Sequence, residues 1–127
     1  MKIQLVYETY SSTTEAVVEI LGKKLVERGD KVEIIRMKDW TKIMKDDTDL
    51  IIFSTPSWLD RGLEGQPHIA FLEFMDQNVK TDFTNLKCAF VGLGDSNYSH
   101  FCLAIDTLED FFTKRGAVNI AQTLKLD

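Results

Sequence analysis

The sequence holds very little of what a metal centre needs. Its soft ligands are two cysteines, Cys88 and Cys102, and two histidines, His68 and His100. Neither pair has the spacing of a metal site. So few thiols fit a reducing compartment in which they stay free, and the sequence leaves a disulfide between them open. No apolar run approaches the roughly 20 residues that cross a bilayer. Met1-Lys2-Ile3-Gln4 enters a strand pattern directly, without the start of a secretory signal, so a cytoplasmic protein is expected. An excess of positive charge is missing too: the formal net charge of −5 argues against nucleic-acid binding and suits a basic protein partner. There is no internal repeat, low-complexity segment or linker. With 127 residues, 44% of them hydrophobic and 28% charged, the chain fits a single domain over residues 1–127 with one core.

What the chain does have is regular alternation. Five apolar runs, Ile3 to Tyr7, Val32 to Met37, Leu50 to Ser54, Cys88 to Leu93 and Val118 to Leu126, alternate with helix-patterned segments. The third and fourth runs are apolar at most positions, as expected for strands covered on both faces. Val17, Ile20, Leu21 and Leu25 recur at helical spacing between Glu15 and Arg28, and Gly29 stops that helix. Phe101, Ile105, Leu108 and Phe112 form a similar stripe ended by Gly116. Ile69, Leu72 and Met75 predict a helix after Pro67, and a short one is expected from Asp39 to Lys45. Strict alternation implies an α/β fold: parallel strands, right-handed crossovers and helices on both faces. Such open sheets bind ligands beyond the carboxyl ends of their strands, where strand order reverses. The segments of interest are therefore Glu8 to Thr14, Thr55 to Gln66 and Gly94 to Phe101.

The first segment carries six consecutive hydroxyl residues, Thr9-Tyr10-Ser11-Ser12-Thr13-Thr14, where a strand hands over to a helix. Unpaired N–H groups and the positive end of the helix dipole suit that place to an anion. Hydroxyls donate without bringing charge, and no Lys or Arg lies in the loop, so a phosphate held by neutral donors is expected. Helix capping alone would also use Ser and Thr. A Walker loop is excluded, because it needs a Gly-rich run ending in Lys.

The other two segments tip the balance. Ser54-Thr55-Pro56-Ser57-Trp58-Leu59-Asp60 places a Trp in an otherwise polar, irregular stretch, and Gly92-Leu93-Gly94-Asp95-Ser96-Asn97-Tyr98 contributes a Tyr. Each aromatic alone reads as a packing residue. Together, beside a phosphate loop, they favour a flat ring held between Trp58 and Tyr98, with Gly92 and Gly94 allowing backbone N–H groups close to its edge. His68, in the first turn of its helix, and His100 read as solvated, Trp40 as a packing residue and Cys88 as core.

At these residues the sequence resembles the flavodoxin family. Thr9-x-Ser11-Ser12-x-Thr14 is similar to the family's phosphate loop, and Gly94-Asp95-Ser96-Asn97-Tyr98, followed by Phe101-Cys102, is similar to its isoalloxazine loop. Trp58 falls where many members carry the inner aromatic. The resemblance implies a five-stranded parallel sheet of order 2-1-3-4-5 with FMN at its switch point, a placement already known for flavodoxin. It implies contacts from Thr9, Tyr10, Ser11, Ser12, Thr13 and Thr14 to the phosphate end. Thr55, Pro56, Ser57, Trp58, Leu59, Leu93, Gly94, Asp95, Tyr98, Phe101 and Cys102 would surround the ring and side chain of the flavin. It further implies a low-potential carrier of single electrons with no catalytic residue. Asp60 and Asp95 near the ring would disfavour the negative charge of the reduced flavin. Its partners would be a reductase as donor and an oxidoreductase as acceptor, met through an acidic surface around the flavin, with no nucleic acid and no membrane.

Three departures qualify the resemblance. Ser12 stands where the family usually has Gly, and this is the argument for a protein that keeps the fold without the flavin. Leu59 stands where many members have Gly, and a β-carbon resists the left-handed turn such a position can require. The sequence ends at Asp127, just after the fifth run, where flavodoxins continue into a final helix. A truncated chain, an FMN-binding module of a larger flavoprotein reductase and a partner supplying the cover are all consistent with that end. A response regulator shares the fold but needs acidic residues after the first strand and an Asp ending the third; here Ser54 and Thr55 end the third, and Glu8 alone is acidic at the first.

Stacking on Trp58 is testable. Trp58→Ala is expected to weaken FMN binding by roughly 0.5–1.5 kcal/mol, the usual worth of aromatic stacking beyond area burial. In a protein lacking Trp40, FMN should quench the emission of Trp58; unquenched emission at saturation would remove Trp58 from the site.

Overall fold

The computed structural model describes residues 1–9, 13–40, 48–60, 63–94 and 103–126, with the backbone alone for 58–60 and 63–66. Along the chain lie β1 (Lys2–Tyr7), α1 (Thr13–Glu27), β2 (Lys31–Arg36), β3 (Leu50–Pro56), β4 (Trp58–Asp60), β5 (Leu63–Gln66), α2 (Ile69–Gln77), β6 (Lys87–Leu93), α3 (Leu103–Thr113), β7 (Val118–Asn119) and β8 (Leu124–Leu126). The main sheet runs β2-β1-β3-β6-β7 with β8 also on β6, and all its pairs are parallel. Taking β6 as the fourth run and β7 with β8 as the fifth, this is the expected order 2-1-3-4-5.

Strand periodicity divides the core between the two faces of the sheet. Ile3, Leu5 and Tyr7 of β1 and Leu50 and Ile52 of β3 point towards α1, where Val18 is buried among them. The intervening Val6, Ile51 and Phe53, with Cys88 and Phe90 of β6, meet α2 and α3 on the other side. That second face is strongly aromatic. Phe53 stacks on Phe112 at 4.3 Å between centroids, and Trp40 sits edge-on to Phe53 at 5.5 Å. Trp40 is the packing residue its sequence position suggests, and its indole N–H donates to the buried Gln4 side chain. Cys88 is core as expected: fully buried, its thiol is pushed up to about 12, first by burial and then by the Glu109 carboxylate. α1 ends where Gly29 takes a φ of +104°, a left-handed conformation that costs Gly little.

Two expectations need correction. The fifth run does not form one strand. Its middle is claimed by side chains: Asn119 donates to Glu109 of α3 at 2.6 Å, the Thr123 hydroxyl donates to the same carboxylate oxygen, and the Ala121 N–H donates to Asn119 Oδ1. Such local polar bonds compete with a ladder and break it into β7 and β8. The segment after β3, expected to be irregular, folds back as the antiparallel pair β4–β5, with Trp58 opposite Gln66 and Asp60 opposite Leu63. Leu59 therefore lies in a strand, and Asn85 is the one non-glycine residue with positive φ among the described residues. A 3-10 turn spans Met37–Asp39, and most of the short helix expected from Asp39 to Lys45, positions 41–45, lies outside the described residues.

Gly92 is fixed by packing. A β-carbon there would stand 2.5 Å from Ile105 Cγ2 and 2.7 Å from Ile105 Cβ, so α3 lies too close to β6 for any side chain. Gly92→Ala is expected to destabilise the protein by roughly 1–3 kcal/mol, the usual cost of overpacking. Urea denaturation measures this, and an unchanged midpoint would show that α3 can move aside.

Candidate functional site

The sheet brings three chain exits to one edge. Tyr7 lies opposite Ser54, and Thr55 and Pro56 lie opposite Gly92 and Leu93. In parallel strands these are all carboxyl ends, so the segments that follow β1, β3 and β6 leave side by side. Backbone bonds fix the exits: the Glu8 N–H donates to the Ser54 carbonyl at 3.3 Å, Ser57 N–H to Leu93 at 2.7 Å and Gly94 N–H to Leu126 at 2.9 Å. These are the three segments singled out in the sequence.

At the first exit Thr9 is half-buried, Thr13 opens α1 exposed, and Thr14 is buried; Tyr10, Ser11 and Ser12 lie outside the described residues. The amino end of α1, with the positive end of its dipole, is therefore presented at this edge. Ser54, on the α1 side of β3, has a hydroxyl that is buried and makes no hydrogen bond, alone in this among the described residues. A buried orphan hydroxyl is rare, and an absent ligand or water is one of the few physical reasons for it.

At the second exit the hydroxyls are engaged by the fold. Thr55 Oγ1 accepts from the His68 N–H at 3.0 Å and donates to the Pro56 carbonyl. Ser57 Oγ accepts from the Ala104 N–H at 3.1 Å, capping α3. Pro56 is half-buried, and Trp58 and Leu59 follow in β4, where the backbone alone is described. At the third exit Leu93 is buried and Gly94 half-buried, while Asp95, Tyr98, Phe101 and Cys102 lie outside the described residues. Gly92 has a role that the sequence reading did not foresee, the close contact of β6 with Ile105.

Sequence reasoning missed the charge network beneath the first exit. Glu8 is 1% exposed, and its carboxylate takes both Nε and Nη2 of Arg36 on one oxygen, at 3.0 and 2.6 Å. Its other oxygen accepts from the Lys38 N–H at 3.0 Å. The hydrogen bond to Glu8 raises the pKa of Arg36 further. Nearby, burial and then the Glu15 carboxylate in the first turn of α1 raise the Tyr7 phenol. The available signal was weak: two charged residues that each close an apolar strand pattern.

His68 also departs from expectation. It is half-buried rather than solvated and stands before α2 as its N-cap, Nδ1 accepting from the Ala70 N–H at 3.1 Å. Burial lowers its pKa below the ordinary 6.5; Glu8 and Glu73 work against that shift, and Arg36 works with it. The unfolded chain therefore binds the proton first as pH falls. The stability that neutral His68 contributes is complete above the ordinary value and is lost on acidification towards the lower, folded-state value. Thermal melts between pH 8 and pH 5 should show stability falling less steeply in His68→Asn, which keeps a capping acceptor but does not titrate. Equal slopes in the two proteins would show that His68 is not buried as a neutral cap.

Comparisons with known proteins agree with this architecture. The family model described as Flavodoxin matches residues 5–127. "Probable flavodoxin 2" of Bacillus subtilis (strain 168) is 33% identical over 127 residues, covering 99% of this chain and 82% of the relative. The structure of oxidised Flavodoxin 2 from Bacillus cereus superposes with a TM-score of 0.81 at 26% identity, over 99% of this chain and 84% of that one. A flavodoxin of Fusobacterium nucleatum, solved bound to flavin mononucleotide, shares the fold with a TM-score of 0.73 at 21% identity, over 99% of this chain and 77% of its own. The sulfite reductase [NADPH] flavoprotein alpha-component of Aliivibrio fischeri is 25% identical over 127 residues, 99% of this chain but 21% of the relative. With its sheet order, its three converging exits and a family match over nearly its whole length, this chain belongs to the flavodoxin family.

Proposed function

We propose that this chain binds FMN non-covalently at the carboxyl edge of its sheet and carries single electrons between redox proteins. The observation that carries the reading is the convergence of three strand exits on the amino end of α1, with the buried Ser54 hydroxyl left without a partner beside them. The donor set fits a phosphate: hydroxyls and helix N–H groups are present, and the nearby cation Arg36 is already paired with Glu8. When bound, the isoalloxazine ring supplies the redox chemistry, and the protein supplies orientation and electrostatics.

Within this reading Thr9 and Thr14, with Tyr10, Ser11, Ser12 and Thr13, hold the phosphate end. Thr55 and Ser57 act chiefly by rigidity, since their hydroxyls lock the second exit to the starts of α2 and α3. Trp58 and Tyr98 cover the ring faces, Leu59 borders Trp58, and Leu93, Gly94, Asp95, Phe101 and Cys102 line the pyrimidine side. No residue is assigned as a catalytic acid, base or nucleophile. A reductase as donor and an oxidoreductase as acceptor dock through acidic residues around the flavin, in keeping with the net charge of −5. A cytoplasmic, single-domain protein over residues 1–127 fits the buried Cys88 thiol and the absence, among the described residues, of any helix long and apolar enough to cross a membrane. The similarity to part of the sulfite reductase alpha-component favours one second reading, an FMN-binding module of a larger flavoprotein.

Titration of the apoprotein with FMN, FAD and riboflavin tests the reading. FMN should bind best: the chain has one phosphate loop and lacks the Gly-x-Gly-x-x-Gly that carries a dinucleotide's pyrophosphate. Riboflavin binding as tightly as FMN would remove the phosphate role of the hydroxyl loop, and failure of all three to bind would sink the proposal.

A further inference from the structure

Glu8 is a costly residue in its position. A carboxylate that is 1% exposed has lost its hydration, and it lies one residue before Thr9, where the proposed phosphate site begins. An unpaired buried charge there would both destabilise the fold and repel an anion. Arg36 cancels that charge, and Lys38 N–H satisfies the second oxygen. The geometry also restrains Arg36. Its residue is the register partner of Tyr7, two residues before Thr9, and its side chain is 39% exposed, so the guanidinium lies at the rim of the edge where the anion would bind. Glu15, in the first turn of α1, is within its electrostatic reach.

We infer that Glu8 is a positioning residue that holds Arg36 as a neutralised counter-charge beside the phosphate loop, so that the Glu8–Arg36 pair sets how strongly the site prefers a phosphorylated flavin to an unphosphorylated one. This rests on the FMN reading and goes beyond it. With the pair intact the local charge is balanced, and phosphate is held by neutral donors and the helix dipole. Removing the carboxylate charge leaves a cation beside the phosphate; removing the guanidinium leaves a buried anion there. Charge is felt by the phosphate and hardly by the ribityl chain or ring, so the ratio of FMN to riboflavin affinity isolates the effect.

The experiment measures both affinities, by calorimetry at low and high salt, for wild type, Glu8→Gln, Arg36→Gln and the double variant. Glu8→Gln should raise the FMN-to-riboflavin ratio by on the order of tenfold at low salt, and the gain should shrink as salt rises. Arg36→Gln should lower the ratio by a similar factor, and the double variant, neutral again, should return close to wild type. If Arg36→Gln does not fold, Arg36→Lys, which keeps the charge, should keep the ratio, and Glu8→Gln still decides the sign. An unchanged or lowered ratio in Glu8→Gln, or FMN and riboflavin affinities that move together, would mean that the pair serves folding alone and would overturn the inference. In that case a wild type that still prefers FMN leaves the FMN reading standing. A wild type that binds neither ligand overturns that reading and this inference with it.

Discussion

The pairing of β1, β3 and β6 is the constraint on which the rest of this molecule depends. β3 is central, with parallel neighbours on both sides and buried side chains on both faces. A parallel strand buried in this way cannot slip by one residue without moving Ile51 and Phe53 from the aromatic face to the α1 face and Leu50 and Ile52 the other way. The register is therefore firmly set, and with it the mutual position of Tyr7, Ser54, Thr55 and Gly92. The functional edge follows from core packing: the three exits are held where they are by side chains buried well below them.

Above that frame, short polar bonds convert a common edge into a shaped one. Thr55 ties the end of β3 to the start of α2, Ser57 ties it to the start of α3, and Glu8 ties the end of β1 to the corner after β2. Each bond satisfies a backbone N–H that a helix start or a turn would otherwise leave without an acceptor. Both hydroxyls belong to the segment that the sequence marks as ligand-binding. Residues that support this edge are thus drawn from the segment proposed to bind, and Ser54 stands out because its hydroxyl, unlike theirs, makes no bond to the fold.

Much of this was legible in the sequence because it rests on periodicity. β3 and β6 read as continuous apolar runs since both faces are covered, and α1 showed its stripe and its Gly29 stop. What stayed hidden depends on side chains meeting across long separations. Nothing local in Asn119, Thr123 or Glu109 announces that they join to split the last run. His68 looked like a solvated first-turn residue because its acceptor role depends on the local turn that aims Nδ1 at Ala70. The β4–β5 pair lacks the regular alternation by which hairpins are recognised. At the site, the three segments were identified from hydroxyls and aromatics, whereas the Glu8–Arg36 pair joins residues 28 apart and required the β1–β2 register to appear.

The unequal composition of the two faces has a consequence for how the molecule opens. On the α2 and α3 side, the rings of Phe53, Phe71, Phe83, Phe90 and Phe112 interlock and join strands to helices. The α1 side is aliphatic apart from Tyr7, and its outer strand β2 is largely exposed, with Ile34 open to solvent. Amide protons should accordingly exchange fastest in β2 and slowest in β3 and β6, because local opening starts where little apolar surface is buried. Breathing of this kind reaches the end of β1 from the β2 side. The strand that delivers Thr9 to the edge thus lies between the thinly covered β2 and the doubly covered β3.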